Sequence, residues 1–450
     1  MSTDPVLAKY LAKYAEPTAA WAAELVTESY ESVYVVPAFD EHLDFLAQGN
    51  IGASTRRLLV VVVNAPPSAP QRAHHRNEQL VRDLVARARS ERQHPRAPLR
   101  MLSEVSFEAG RLSVLLIDAT QESYCLAEKE GVGRARKMGA DAACALFAGR
   151  RTSSPFVGFG DADCQLTAAQ FEALERPWSE QPAALLYPFE HTSCGEHAID
   201  RAMRLLQLSF LLYVVGLHRA GSPYAYHCLG SAMAVSVPHY AAVRGVPNRQ
   251  AGEDFHLLAK LAKLAPLRRL ELPVVRIGTR LSERVPFGTG PSLARALERA
   301  QGPTTYDPAI YDRLGQVLHL LSISTLAGAP QWTTQLPAWL QKELTHLWSR
   351  LAPELHGCPT ATHRLQRMHE QLDALGTLQL VHRLERSGFS KVTVEKAARS
   401  LFQLPGPPWF SDEQTFAAHS AEIERFYSSL PALVGPHALP TFQALPPGGL

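Results

Sequence analysis

The sequence predicts an α/β fold in which helices flank a mostly parallel sheet, followed by a mainly helical C-terminal region. Two observations support the sheet: continuous apolar runs such as residues 58–64, LLVVVVN, and helical segments between those runs. Strands that are hydrophobic on both faces are typical of parallel sheets covered by helices. Beyond residue 290 the strand pattern fades and helical spacing of apolar residues takes over, which predicts the helical C-terminal region.

Helical and strand patterns alternate along the first 290 residues. Residues 6–30 are Ala-rich with helical spacing and predict a leading helical segment. Residues 79–89 carry four aliphatic side chains on one helix face, which predicts a helix that packs on the sheet. The predicted strands are short apolar runs bounded by turns, namely 32–37, 58–64, 112–117, 156–159, 183–187, 232–237 and 272–277.

The remaining predicted helices follow the same spacing rule, and they are 198–218, 254–264, 293–299, 311–326 and 336–351. The apolar stretch 205–217 is shorter than the roughly 20 residues that a membrane-spanning helix needs, so we expect a core helix and no transmembrane segment. Prolines near the C-terminus predict an irregular tail. The expected organisation is a helical segment (1–30), an α/β domain (31–290) and a mainly helical region with a Pro-rich tail (291–450).

Composition excludes several classes of function. The formal net charge is +2 with 20% charged residues, so net charge indicates neither a nucleic-acid nor a membrane partner. Six cysteines are scattered without zinc-like spacing. The N-terminal residues lack the features of a signal peptide. We therefore expect reduced thiols and a cytoplasmic location.

Two aspartates, Asp161 and Asp163, follow the apolar run at 156–159. Two carboxylates at the C-terminal end of a buried strand are unfavourable unless a cation or a substrate binds them. Hard oxygen ligands of this kind suit Mg2+ or Mn2+, often beside a diphosphate. The sequence therefore predicts a metal site here, in which either both carboxylates share one divalent ion or one binds the ion and the other a sugar hydroxyl.

A second acidic step, Glu253 and Asp254, opens the predicted helix at 254–264. Acidic residues at a helix start are favourable through capping and the helix dipole, and this structural explanation accounts for both. The alternative is catalytic, because a carboxylate at the mouth of the same sheet can act as a general base.

Two basic segments are candidates for holding a diphosphate. Arg134 and Lys137 lie in the first turns of a predicted helix, where a bound anion offsets the unfavourable effect of cations on the helix dipole. Arg280 and Arg284 lie in a loop with glycine hinges, which is either a lid over a diphosphate or a solvated linker. A solvated basic turn is the structural alternative for the first segment.

The order of these motifs resembles that of the family 2 glycosyltransferases, which have the GT-A fold. The resemblance covers residues 31–290 and does not reach the C-terminal region. It implies a nucleotide-sugar donor, with UDP- or GDP-sugars the expected class, a hydroxyl acceptor and Mn2+ or Mg2+ as cofactor. The family motif for a processive polysaccharide synthase is absent from the sequence.

The resemblance also implies roles for single residues. Asp161 and Asp163 match the metal and diphosphate motif, and Asp254 matches the catalytic base. The acceptor side is implied for Glu253, Gly230 and Ser231. The nucleoside side is implied for a strand end and its neighbours, namely Pro37, Ala38, Phe39, Glu41 and Asn64. Asn64 stands where the family often has an aspartate that contacts the base.

Two other functions are open at this point. A nucleotidyltransferase of related fold also uses strand-end aspartates and a metal, although the glycine-rich loop expected after its first strand is missing here. A degenerate transferase fold that serves as a binding or scaffold module is the non-enzymatic alternative. For the helical region, Trp332, Trp339 and Trp348 predict either a core between helices or a partner-docking surface.

Overall fold

The computed structural model describes residues 4–47, 49–121, 124–128, 130–249, 251–281, 288–299, 302–333, 335–402 and 413–438. The chain divides into two compact units. Unit 1 comprises residues 1–196, 228–261 and 268–291, and unit 2 comprises residues 197–227, 262–267 and 292–450. The helix predicted at 198–218 thus belongs to unit 2, although it lies inside the sequence range expected for the α/β domain.

The strands are β1 Ser32–Ala38, β2 Gly52–Asn64, β3 Ser90–Gln93, β4 Leu99–Phe107, β5 Gly110–Ala119, β6 Phe156–Phe159, β7 Ala184–Leu186, β8 Phe189–Thr192, β9 Met233–Ser236, β10 Leu267–Arg269, β11 Val275–Gly278, β12 Thr304–Thr305, β13 Val392–Thr393 and β14 Leu433–Val434. The α-helices are α1 Pro5–Lys13, α2 Thr18–Leu25, α3 Asp44–Ala47, α4 Gln71–Ala86, α5 Gly131–Ala148, α6 Ala168–Glu175, α7 His197–Arg219, α8 Val237–Ala242, α9 Glu253–Leu261, α10 Thr289–Glu298, α11 Ala309–Ala327, α12 Ala338–Leu351, α13 Ala361–Gln371, α14 Ala374–Arg386, α15 Val394–Phe402 and α16 Glu413–Ser429. Two short 3-10 helices cover Ala352–Leu355 and Pro436–Ala438.

Unit 1 is built around a mostly parallel sheet, in the order β10-β7-β9-β6-β1-β2-β5-β4-β3. The central strands β6, β1, β2 and β5 are parallel neighbours. Their apolar side chains are buried on both faces, as in Leu58 to Val63 of β2, which is the pattern that parallel sheets require. The predicted α/β class is therefore confirmed, together with the large sheet and the helical C-terminal region.

The structure differs from the sequence prediction at the edges of this sheet. Antiparallel strands β3 and β4 extend it beyond β5, and neither was predicted because polar residues interrupt their apolar pattern. On the other side β9 runs antiparallel between β6 and β7. The strand predicted at 272–277 forms as β11, but it pairs with β8 in a separate two-stranded sheet.

Helix α5 packs directly on the sheet, and Gly139 is the point of closest approach. A Cβ atom added at Gly139 would lie 2.4 Å from Cγ1 of Val35 on β1 and 3.2 Å from Cγ2 of Val62 on β2. Real Cβ contacts are not this short, so the glycine is required by packing. This close approach fixes the height of α5 above the strands.

Unit 2 has its own hydrophobic core, formed by helices α7, α11, α12, α13, α14, α15 and α16. Trp332, Trp339 and Trp348 are partly buried and pack against this core, and Trp332 meets Trp348 edge to face at 6.0 Å between ring centroids. The packing agrees with the core interpretation of these tryptophans. In the part of the chain that the structure describes, no helix is both long enough and apolar enough to cross a membrane. The prolines near 405–408 and the tail from 439 onward lie outside the described residues.

Replacing Gly139 with Ala is expected to destabilise the protein by about 1–3 kcal/mol, because the added methyl group overpacks the α5–sheet contact. Helix propensity acts in the opposite direction by about 1 kcal/mol. Urea denaturation checks the prediction. The matched control is Gly357→Ala in open space, for which we expect a change within about 0.5 kcal/mol. Equal midpoints for the two variants would contradict the packing requirement.

Candidate functional site

Acidic side chains collect where the parallel strands β1 and β6 end. The C-terminal ends of parallel neighbours meet at one edge of a sheet, which is where open α/β sheets bind ligands. Glu41 follows β1, and Asp161 and Asp163 follow β6. Glu253 and Asp254 form the first turn of α9, where the helix dipole favours negative charge. We call these five residues the carboxylate cluster.

Arg136 of α5 joins two parts of the carboxylate cluster. Its Nη2 donates to Oδ1 of Asp161 at 2.6 Å, and its Nη1 donates to Oε1 of Glu253. The Arg136 side chain is 2% exposed and that of Glu253 is 4% exposed. A buried guanidinium needs such partners, because an uncompensated buried charge is strongly destabilising.

Arg280 joins the other part of the cluster. Its guanidinium forms two hydrogen bonds with the Glu41 carboxylate, at 3.0 and 2.6 Å, and a third with Oδ2 of Asp163 at 3.1 Å. The Arg280 side chain is 36% exposed, so this link lies closer to solvent than the Arg136 link. Arg284, the second cation predicted for this loop, lies outside the described residues.

Gly230 and Ser231 were predicted on the acceptor side, and Gly230 lies against the Arg136 guanidinium. A Cβ atom at Gly230 would lie 2.9 Å from Nη1 of Arg136, so the missing side chain leaves room for the guanidinium. Ser231, the next residue in the chain, is buried. Gly230 therefore supports the site by leaving space for Arg136.

Arg134 and Lys137, predicted as diphosphate ligands, make other contacts in the structure. Arg134 pairs with Glu130 one turn earlier on the chain and with Glu16. Lys137 is buried and donates to Oδ2 of Asp141 at 2.6 Å. Because successive residues point about 100° apart around a helix, Arg136 projects from the side of α5 opposite to Arg134.

The predicted nucleoside side lies at the ends of β1 and β2. Pro37 and Ala38 are in β1, paired with Val62 and Val63 of β2, and Phe39 follows β1 with part of its surface exposed. The side-chain Nδ2 of Asn64 donates to the backbone oxygens of Ala38 and Val62, both at 3.1 Å. Asn64 therefore ties the two strand ends together.

Burial changes the protonation of two carboxyls in the cluster. It raises the pKa of Asp163 to about 6, assisted by the charge of Asp161 and opposed by Arg280. It also raises the pKa of Glu253 to about 7, opposed by Arg136 and assisted by Asp254. The guanidiniums respond in the other direction: although burial opposes ionisation, the neighbouring carboxylates raise the pKa of Arg136 and of Arg280. Both arginines are thus charged at every physiological pH.

Among the residues that the structure describes, two guanidiniums face the five carboxyl groups of this cluster, so acidic groups outnumber basic ones there. An anionic diphosphate would add to the imbalance, and a divalent cation would reduce it. Mg2+ and Mn2+ sites commonly use one or two carboxylates, with substrate phosphates and water completing the shell. Asp161 and Asp163 fit this type of site. Within the described residues no set of three or more His, Cys, Asp or Glu side chains is arranged to hold a metal ion, so the fit is to a site that a ligand completes.

Arg136 is the residue that sequence reasoning missed, although one signal pointed to it. Gly133, Arg136 and Gly139 recur at intervals of three and share one side of α5. A Cβ atom at Gly133 would lie 2.5 Å from the backbone oxygen of Arg249, so this side is closely packed. A cation on a closely packed face requires an acidic partner, and Asp161 with Glu253 supplies it.

Replacing Glu253 with Gln is expected to change how stability depends on pH. The folded protein favours protonated Glu253, with its pKa at about 7 against an ordinary 4.5, so ionisation across this window destabilises the wild type. The variant has no proton to lose and gains stability relative to wild type as pH rises through the window, by roughly 1–3 kcal/mol. Melting temperatures across this window measure the effect. Glu172→Gln at an exposed ion pair is the control, and a Glu253→Gln effect that stays constant with pH would contradict the assignment.

No protein-family model matches this chain, and no curated protein matches it. The carboxylate cluster and the two arginines bound to it are therefore the evidence for what the site does.

Proposed function

We propose that this protein acts as a metal-dependent glycosyltransferase, moving a sugar from a nucleoside-diphosphate donor to an acceptor hydroxyl with inversion at the anomeric carbon. The observation that carries the proposal is the carboxylate cluster at the C-terminal ends of β1 and β6, joined by Arg136 and Arg280. The mostly parallel sheet supports the GT-A-like fold that the sequence resemblance implies.

Donor binding is assigned to the strand ends. Asp161 and Asp163 would hold Mn2+ or Mg2+, and a bound divalent cation supplies positive charge that stabilises a departing diphosphate. Pro37 and Ala38 are assigned to the nucleoside, whereas both carboxylate oxygens of Glu41 accept hydrogen bonds from Arg280. The excess of carboxylates over guanidiniums in the cluster supports metal dependence, since a diphosphate meets net negative charge there without a cation.

Proton transfer is assigned to Asp254. Its side chain is partly exposed, whereas Glu253 is buried against Arg136, so Asp254 is the more accessible of the two to an acceptor. As the acceptor oxygen bonds to the anomeric carbon, Asp254 takes the hydroxyl proton and the bond to the diphosphate breaks. Glu253 keeps Arg136 and the start of α9 in position.

A donor screen by calorimetry is the first test, with UDP-, GDP-, ADP-, dTDP- and CMP-sugars, each with and without Mn2+. We expect Mn2+-dependent binding of one nucleotide class, with UDP- or GDP-sugars the first candidates. Folded protein that binds none of these donors would contradict the proposal and favour a scaffold role.

Asp254→Asn is expected to retain donor affinity and to lose transfer by at least about 10²-fold, the lower end of general-base effects. Single-turnover transfer and donor calorimetry measure the two quantities separately. Glu172→Gln on α6, outside the carboxylate cluster, is the matched carboxylate control. Near-normal turnover in Asp254→Asn would remove Asp254 from the base role.

Asp163→Ala is expected to abolish Mn2+-dependent donor binding, because the cation loses one of its two protein carboxylates. The control is Asp83→Ala on α4, whose carboxylate pairs with Gln79. Donor affinity in the presence of Mn2+ that matches wild type would overturn the metal assignment.

A further inference from the structure

The Asp163 carboxylate has two possible positively charged partners, Arg280 and a divalent cation, and in the structure it is bound by Arg280. Arg280 donates to Oδ2 of Asp163 at 3.1 Å and holds Glu41 with two further hydrogen bonds. Under the proposed function the same aspartate is a ligand of a divalent cation. The two positive groups repel each other at contact distance, so they compete for Asp163.

The position of Arg280 beside Asp163 is built into the fold. The backbone N–H of Gly278, at the end of β11, donates to the backbone oxygen of Asp163 at 2.8 Å. The backbone N–H of Gln165 donates to the backbone oxygen of Arg276 at 2.9 Å. The loop with the two aspartates is thus fastened to β11, and residue 280 follows two residues after that strand.

The two arginines of the site differ in how easily their hydrogen bond to an aspartate can break. Arg136 is 2% exposed, and its release from Asp161 would leave a buried charge with one partner fewer. Arg280 is 36% exposed, and its two hydrogen bonds to Glu41 do not depend on Asp163. A guanidinium released from Asp163 therefore remains paired and close to solvent.

We propose that Arg280 is an exchangeable counter-ion, which yields Asp163 to a divalent cation and then binds the diphosphate while Glu41 retains it. The planar guanidinium matches phosphate oxygens and forms charge-assisted hydrogen bonds with them. Before the cation arrives, Arg280 reduces the repulsion between Asp163 and its acidic neighbours. The inference rests on the proposed function for the identity of the two ligands.

The exchange predicts opposite effects of one substitution on two ligands. In Arg280→Gln the competitor for Asp163 is gone, so Mn2+ alone is expected to bind about 3–10-fold more tightly. With Mn2+ saturating, inorganic diphosphate is expected to bind about 10-fold more weakly, because its guanidinium partner is lost. Calorimetry of the full chain above the pKa of about 6 for Asp163 measures both affinities, and Mn2+ electron paramagnetic resonance checks the first.

Two further variants make the test specific. Arg276→Gln removes a neighbouring cation that pairs with the exposed Glu190 at 2.8 Å, and both affinities are expected to match wild type. Arg280→Lys keeps the positive charge and loses the paired N–H donors of the planar guanidinium. We therefore expect its Mn2+ affinity to be near that of wild type and its diphosphate affinity to be reduced. If circular dichroism shows that Arg280→Gln does not fold, the diphosphate affinity of Arg280→Lys tests the proposal instead.

The proposed exchange of Arg280 for a cation at Asp163 would be overturned if folded Arg280→Gln bound Mn2+ no more tightly than wild type. It would also be overturned if neither the wild type nor Arg280→Gln bound Mn2+. If only the Lys variant folds, unchanged diphosphate affinity would overturn it. The proposed function fails differently: nucleotide sugars would not bind or react, while the responses to Mn2+ and inorganic diphosphate would persist.

Discussion

Burial of the Arg136 guanidinium between Asp161 and Glu253 is the constraint on which the candidate site depends. Removing one partner of a buried ion pair typically costs about 3–5 kcal/mol, so α5, the end of β6 and the start of α9 must keep their relative positions. The far side of α5 is fixed as firmly. Lys137 and Asp141 form a buried group with the hydroxyl of Tyr10 on α1. The N-terminal helical segment thus holds the helix that carries Arg136.

Much of this arrangement was predictable from local sequence. The apolar runs that became β1, β2, β5 and β6 are continuous and bounded by turns, so hydrophobic patterning identified them. The acidic residues after β6 stood out because carboxylates at the end of a buried strand require a cation or a ligand, whereas those at the start of α9 are also explained by the helix dipole. Arg136 was not identified, because its partners lie 25 and 117 residues away, and no local pattern reports which side of α5 faces them. β3 and β4 were not predicted either, because polar residues interrupt their apolar pattern. Their pairing depends on tertiary contacts that the local sequence does not show.

The candidate site combines a rigid half and a more accessible half. The rigid half is the buried contact of Arg136 with Asp161 and Glu253, with Gly230 leaving room for the guanidinium. The accessible half is Arg280 with Glu41 and Asp163, nearer to solvent. The two halves therefore differ in how far solvent and ions can reach their charges, since Arg136 is 2% exposed and Arg280 is 36% exposed.

The discontinuous course of unit 2 has a consequence during synthesis. Helix α7 contributes apolar side chains to the unit 2 core, and its Gly216 lies against Tyr311 of α11. On the ribosome the end of α7 is made about 90 residues before the start of α11 and about 190 residues before the start of α16. The longer separation takes roughly 10–40 s at ordinary elongation rates. During that interval an apolar helix has no core to join. The apolar face of α7 therefore lacks its partner until α11 emerges, and the unit 2 core is complete only after α16 is made.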